Sequence, residues 1–237
     1  MGYTLFVANK NYSSWSMRPW VLMRAFDIPF EEKVYMFEQT EVQEAFSDFS
    51  PSGKVPCLHD SSVGKKGLAV WDSLAIIEYL AEREPEKGIW PTEVVSRSFA
   101  RCAAAEMHSG FNAIRNEMGM NVGIRVELGE PSKALKRDLE RLDALWTEGL
   151  TKFGGPWLAG DKFSAADAFF APVATRLQTY GVNLSELSMT YAKKLLEMPA
   201  SREWIEAGTQ ETWRDPGHDE EALMGGRKLL ADYRKKA

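Results

Sequence analysis

Cysteine is scarce in this chain: Cys57 and Cys102 are the only two among 237 residues. So sparse a pair argues against a disulfide framework, and the three histidines, His59, His108 and His218, share no ligand spacing with it. No structural zinc, and no metal of any kind, is expected. No apolar run approaches the ~20 residues of a membrane-spanning helix. The opening, MGYTLFVANKNYSS, lacks a basic start and turns polar at Asn9, so it fails as a signal peptide, and a cytoplasmic protein with no membrane partner is expected. Basic excess is missing too, with 29 Lys and Arg against 34 Asp and Glu and a net charge of -5, which removes any sequence-wide reason to bind nucleic acid. The short basic tail YRKKA reads as solvated. There is no internal repeat and no low-complexity segment. What the chain does have is 44% hydrophobic residues, enough to build the core of one large domain or two small ones.

The first third alternates strand and helix signals. YTLFVA (3–8) reads as a short buried strand, SMRPWVLMRAF as a helix, FEEKVYMF as an alternating strand and TEVQEAF as a second short helix. VPCLHD and GLAVW come next as two strands joined by the turn SSVGKKG, and DSLAIIEYLAERE closes the series as a helix capped by Asp72. The order is βαβαββα. After PEKGIWPTE, a linker by its two prolines and glycine, only long helical patterns remain, SFARCAAAEMHSGFNAIRNEMGM among them, and no strand is expected. The boundaries expected are residues 1–85 for an α/β domain, 86–95 for the linker and 96–237 for an all-helical domain.

Five stretches stand out, of which LAGDKFSAADAFFAPV reads as structural, the start of a buried helix. NKNYSSWSMRPW (9–20) gathers three serines at the mouth of the first helix; Ser16 is placed to cap it, which leaves Ser13 free just before a helix N-terminus. GKVPCL (53–58) puts Pro56 at a strand start, where a cis bond would turn the backbone of Val55 toward a ligand. WDSLAIIEYL sets Asp72 and Ser73 at a helix N-terminus, where free N–H groups, a hydroxyl and a carboxylate suit an amino-acid head group. LAGDKFSAADAFFAPV holds Ser164 and Asp167 at capping-box spacing, with a kink expected at Pro172. Along EMHSGFNAIRNEM, Met107, Phe111, Ile114, Arg115 and Met118 lie at helical spacing, and a charge among apolar residues there suggests a cleft or a subunit contact.

Taken together, GKVPCL, WDSLAIIEYLAE and LAGDKFSAADAFFAPV, in that order and at those separations, resemble the cytosolic glutathione transferase family over nearly the whole chain. NYSSWSMRPW is similar to the serine-type start of the zeta and related bacterial classes, with Trp15 standing where the zeta pattern has cysteine. The resemblance implies a thioredoxin-like N-terminal domain, a helical C-terminal domain and a homodimer. It implies glutathione as co-substrate, with no other cofactor. It makes Ser13 the thiol-activating hydroxyl with Ser14 as the fallback. Val55, beside a cis Pro56, would pair with the cysteinyl backbone, and Lys54 would reach the glycyl carboxylate. Ser73 would hold the γ-glutamyl carboxylate, while Asp72 replaces the usual Glu or Gln near the ligand's amino group. A small electrophile would then lie against Tyr12, Met107, Phe111 and Arg115. Two alternatives stand beside this transferase: a glutathione-dependent cis–trans isomerase of the maleylacetoacetate type, in which Arg115 holds a substrate carboxylate, and a non-catalytic glutathione-binding or interaction module.

Overall fold

A computed structural model describes residues 2–38 and 43–236. Strand β1 (Tyr3–Ala8) lies between β2 (Glu31–Tyr35), parallel to it, and β3 (Cys57–Asp60), antiparallel; β4 (Leu68–Trp71) joins antiparallel to β3, giving the order β2-β1-β3-β4. A parallel pair needs a crossover, and α1 (Ser14–Ala25) supplies it. Successive side chains of β1 point to opposite faces. Leu5 and Val7 enter the main core with Trp20 and Leu22 of α1, whereas Phe6 and Ala8 join Phe46, Phe49 and Cys57 on the other side. Both faces are covered, which is why YTLFVA is apolar throughout. Of the expected helix TEVQEAF, residues 40–42 lie outside the described residues, and Glu44–Asp48 forms a 3-10 turn. Helix α2 (Ser73–Arg83) completes this half, burying Ile76, Ile77 and Leu80.

Seven helices are described after it: α3 (Val94–Ser109), α4 (Asn112–Glu117), α5 (Lys133–Phe153), α6 (Ala165–Tyr180), α7 (Glu186–Glu197), α8 (Pro199–Gln210) and α9 (Pro216–Ala222). Helix α6 is the axis of the molecule, buried at every position except Gln178 and packed against α1, α3 and α7. Its start depends on Asp167, whose carboxylate accepts hydrogen bonds from Ser164 N (2.8 Å), Leu158 N (2.9 Å) and the Tyr191 hydroxyl (2.8 Å). Burial pushes the pKa of that carboxyl up despite these donors. The helix runs without interruption through Pro172.

Two expectations are corrected. The stretch read as one helix from Ser98 to Met120 breaks after Ser109, because Phe111 adopts a left-handed conformation (φ 54°) and starts α4 on a new axis. The helical half also contains a small sheet, in which β5 (Ile124–Val126) pairs antiparallel with β6 (Leu229–Asp232). Three residues show no readable alternation, so the pairing depends on a partner about a hundred positions away. None of the described helices is long and apolar enough to cross a membrane.

Candidate active site

The serine cluster sits where β1 hands over to α1. Tyr12 N (3.1 Å) and Ser13 N (2.9 Å) both donate to the Asn9 carbonyl, curling the chain so that Ser13 takes the N-cap position. Ser16, expected to cap the helix, lies in its first turn instead. Its Oγ accepts from the Ala8 N–H (3.2 Å) and from the Ser13 hydroxyl (2.8 Å), tying the helix start to the strand end. Ser13 and Ser14 are nearly buried, and both line a cavity of about 370 Å3. The unpaired N–H groups of a helix start make this an electropositive place.

Three arginines gather around it. Arg18, 1% exposed, donates to Ser73 Oγ (3.3 Å) and lies over the faces of Trp15 (4.1 Å) and Phe169 (5.0 Å). Burial, reinforced by Arg115 and Arg176, holds its pKa well below the ordinary value. Arg115 covers Trp15 at 4.7 Å and donates to the carbonyls of Met107, His108 and Gly110. That accounts for a charge within an apolar stripe: it satisfies the free carbonyls where α3 ends. Arg176, on α6, donates to the Met118 and Arg115 carbonyls and to Ser14 Oγ (3.2 Å). Burial and the neighbouring Arg115 bring its pKa down to about 10, so it stays charged at neutral pH.

A second groove of about 430 Å3 runs from Trp15 past Lys54, Val55 and Pro56 to Trp71, Asp72 and Ser73. The Val55–Pro56 bond is cis. Lys54 is exposed and lines both hollows, as do Val55 and Trp15, so the two are continuous along these residues. Asp72 holds φ 75°, a conformation that costs a non-glycine residue ~1–3 kcal/mol and is retained where something requires it. Its Oδ1 caps α2 through Leu74 N (2.8 Å) and Ala75 N (3.4 Å), while Oδ2 faces His108 Nε2 at 3.4 Å. Ser73, fully buried, opens the helix beside it.

Of the four residues expected against an electrophile, Tyr12 and Arg115 line the cavity at the serines, whereas Met107 (1% exposed) and Phe111 (6%) belong to the core and do not. The remaining wall includes Phe37, Phe46, Met120, His218 and Glu221. His218 and Glu221 come from a C-terminal strap that closes one side. In it, Glu211 accepts from Lys10 N (2.6 Å) and Asn11 N (3.2 Å), and the Tyr12 hydroxyl donates to Asp219 (3.1 Å). Arg234 pairs with Asp219 at 2.6 Å, and the His218 ring packs on Tyr12 and Phe37. Burial, with Asp219 alongside, raises the Tyr12 pKa.

Sequence reasoning missed Arg18, Arg176 and the strap. Arg176 left a signal in AADAFFAPVATRLQTY, a lone charge in a helix otherwise read as core, the same kind of signal that marked Arg115. The strap left none.

A four-stranded mixed sheet with a cis-proline loop, continued by a helical domain, is a thioredoxin-like architecture with a helical extension. The chain belongs to the glutathione S-transferase family: its residues 12–83 match the model of the N-terminal domain and residues 132–209 that of the C-terminal domain. Among relatives, it is 26% identical to the glutathione S-transferase-like protein OpS6 of Beauveria bassiana over 71% of this chain and 76% of that one. It is equally 26% identical to a probable maleylacetoacetate isomerase of Caenorhabditis elegans, over 73% and 78% respectively. The fold also matches a Burkholderia glutathione transferase homolog solved with bound glutathione, with TM-score 0.63 and 21% identity over 88% of this chain and 98% of that one.

Proposed function

We propose that this protein binds glutathione along the groove from Ser73 to Lys54, holds its sulfur as a thiolate at the start of α1, and transfers it to a small electrophile in the adjoining cavity. The observation that carries the reading is continuity: the hollow at Ser13 and Ser14 and the groove ending at Ser73 share Trp15, Lys54 and Val55. In it, Ser73 and the N-terminus of α2 receive the γ-glutamyl carboxylate, Asp72 its ammonium, the Val55 backbone the cysteinyl unit and Lys54 the glycyl carboxylate. A hydroxyl of the Ser13–Ser14 pair donates to the sulfur. A free thiol with pKa near ~8.5 is mostly protonated at neutral pH, so such a donor is required for the thiolate to form. The electrophile meets Tyr12 and Arg115, with Phe37, Met120 and His218 completing its pocket. Calorimetry with glutathione, then turnover of an aryl halide panel, tests the reading; binding without turnover would leave a non-catalytic glutathione-binding module.

A second reading is favoured by Arg115 and Arg176 beside the cavity and by maleylacetoacetate isomerases among the relatives. An isomerase would add the thiol to a conjugated diacid, hold a carboxylate on Arg115 and release the thiol again. Activity on maleylacetone separates it from the transferase. We further propose a cytoplasmic homodimer, supported by the exposed apolar side chains Leu68 and Trp71 of edge strand β4 and Val94 and Val95 of α3. Sedimentation as a monomer at micromolar concentration would refute it.

A further inference from the structure

We propose that Ser14, rather than Ser13, is the hydroxyl that holds the glutathione thiolate, and that Arg176 acts on the sulfur through it as a buried cation whose counter-ion is the thiolate. The assignment rests on the glutathione reading above and gives that reading a specific donor.

The hydrogen bonds of the two serines differ in direction. A serine hydroxyl has one hydrogen to donate and two acceptor positions. Ser13 spends its hydrogen on Ser16 Oγ (2.8 Å), which also receives the Ala8 N–H, so the bond belongs to the strand-to-helix junction. Ser14 is engaged only as an acceptor among the described hydrogen bonds, from Arg176 Nη2 (3.2 Å). Its own hydrogen remains for a ligand in the cavity that it lines. A cationic donor on the oxygen also polarises the O–H, which strengthens the bond it gives.

Arg176 points the same way from the standpoint of charge. It is 6% exposed and reaches from α6, in the helical domain, to the first turn of α1. No carboxylate lies within ion-pair distance of it among the described residues; its direct partners are two carbonyls and Ser14. A buried charge without a counter-ion is costly unless something supplies one. The charged and titratable groups facing the same cavity are Tyr12 before α1, Lys54 before β3, Arg115 on α4, and His218 and Glu221 on α9, with Arg18 and Tyr180 close behind. The field there is positive, and Glu221 is its one acidic member. On binding, the glutathione S–H proton leaves to solvent and the sulfur anion accepts the Ser14 hydrogen; no covalent bond forms. Arg176 touches the serine and not the sulfur, which makes it a positioning residue.

The experiment is the pH titration of thiolate ultraviolet absorbance for glutathione bound to the full chain. Ser14→Ala is expected to raise the apparent pKa of the bound thiol by about one to two, the effect of losing one hydrogen bond to an anion. Ser13→Ala should leave the titration within a few tenths of wild type, and Ser14→Thr, which keeps the hydroxyl, should restore it. Arg176→Gln, which removes the charge, should shift the titration upward in the wild-type background and by less in the Ser14→Ala background, and Arg176→Lys, which keeps the charge, should stay closer to wild type. A shift on Ser13→Ala with none on Ser14→Ala would overturn the assignment of the serine. A shift on Ser14→Ala with an unchanged Arg176→Gln titration would overturn the role of the arginine. Wild-type protein that binds no glutathione in calorimetry would overturn the functional reading itself, whereas bound glutathione with a titration indifferent to Ser14→Ala would overturn this assignment alone.

Discussion

Gly208 lies inside α8, where helix propensity alone says that alanine should be better by ~1 kcal/mol. The packing says otherwise. A methyl group on Gly208 would stand 2.9 Å from Val122 Cγ2, 3.0 Å from the Asn11 nitrogen and 3.0 Å from the Lys10 carbonyl carbon. Two of these atoms are backbone, and they belong to the loop that delivers Tyr12, Ser13 and Ser14 to the cavity. Neither can swing aside as a side-chain end would, because Glu211 and Trp204 hold the same segment through Lys10 N (2.6 Å) and Lys10 O (2.9 Å). Overpacking of this kind costs ~1–3 kcal/mol, so after the propensity gain Gly208→Ala should lose about 1 kcal/mol net. In a chain of this size that is a fall in Tm of about 2–4 °C. The displaced loop should also move the bound-thiol titration, although Gly208 touches no part of the ligand groove. Thermal unfolding and the thiolate absorbance titration together test this. A variant with a raised Tm and an unaltered titration would mean that the loop yields freely and that the contact has no bearing on the site.

Other named contacts set three further expectations. Ser73→Ala removes the hydroxyl at the start of α2 and should weaken glutathione binding by ~1–3 kcal/mol in calorimetry; unchanged affinity would confine Ser73 to the helix terminus. Tyr191→Phe takes one donor from the buried Asp167 carboxylate and should cost ~1.5–3 kcal/mol of stability in denaturant unfolding, while a loss below about half a kcal/mol would show that Leu158 N and Ser164 N suffice. Desolvation first, then Arg18 and Arg115, hold the His108 pKa below its ordinary 6.5 against the opposing pull of Asp72. The unfolded chain therefore takes up the proton first as pH falls. The stability contributed by neutral His108 is present above 6.5 and is lost below it, so His108→Gln should flatten the stability profile on the acid side, and an unchanged slope there would count against the cause.

How much of the molecule is open to reading from residues alone depends on whether the signal is local. The strand YTLFVA and the start of α2 at Asp72 are legible because hydrophobic run and cap are decided within a few residues. The family resemblance rests on three such local motifs held in order. Ser16 misleads because its alternative partner, the Ala8 N–H, becomes visible only once the strand end and the helix start are brought together. Phe111 misleads for a related reason: the apolar spacing continues across Gly110, and only the Arg115 guanidinium on the carbonyls of Met107, His108 and Gly110 reveals that α3 has ended. Met107 and Phe111 show the limit of stripe arguments, since the same spacing describes a cavity wall and a sealed core. The pairing of Ser14 with Arg176 spans the two domains, and no window of sequence contains both.

The strap that joins Lys10 and Asn11 to Glu211, and Tyr12 to Asp219 and Arg234, bears on the order in which the molecule is made. The thioredoxin-like half is made before the strap, and at ~5–20 residues per second the strap emerges about 6–30 s later. Until then the loop that carries Lys10, Asn11 and Tyr12 lacks the carboxylate that receives its two backbone N–H groups and the ring that covers Tyr12. Bringing together ends ~200 residues apart adds only about 2 kcal/mol of closure entropy over a loop of ~20, a difference a few such hydrogen bonds offset. Completion of the pocket thus waits until the strap has been made, long after the residues of β1 and the serine loop.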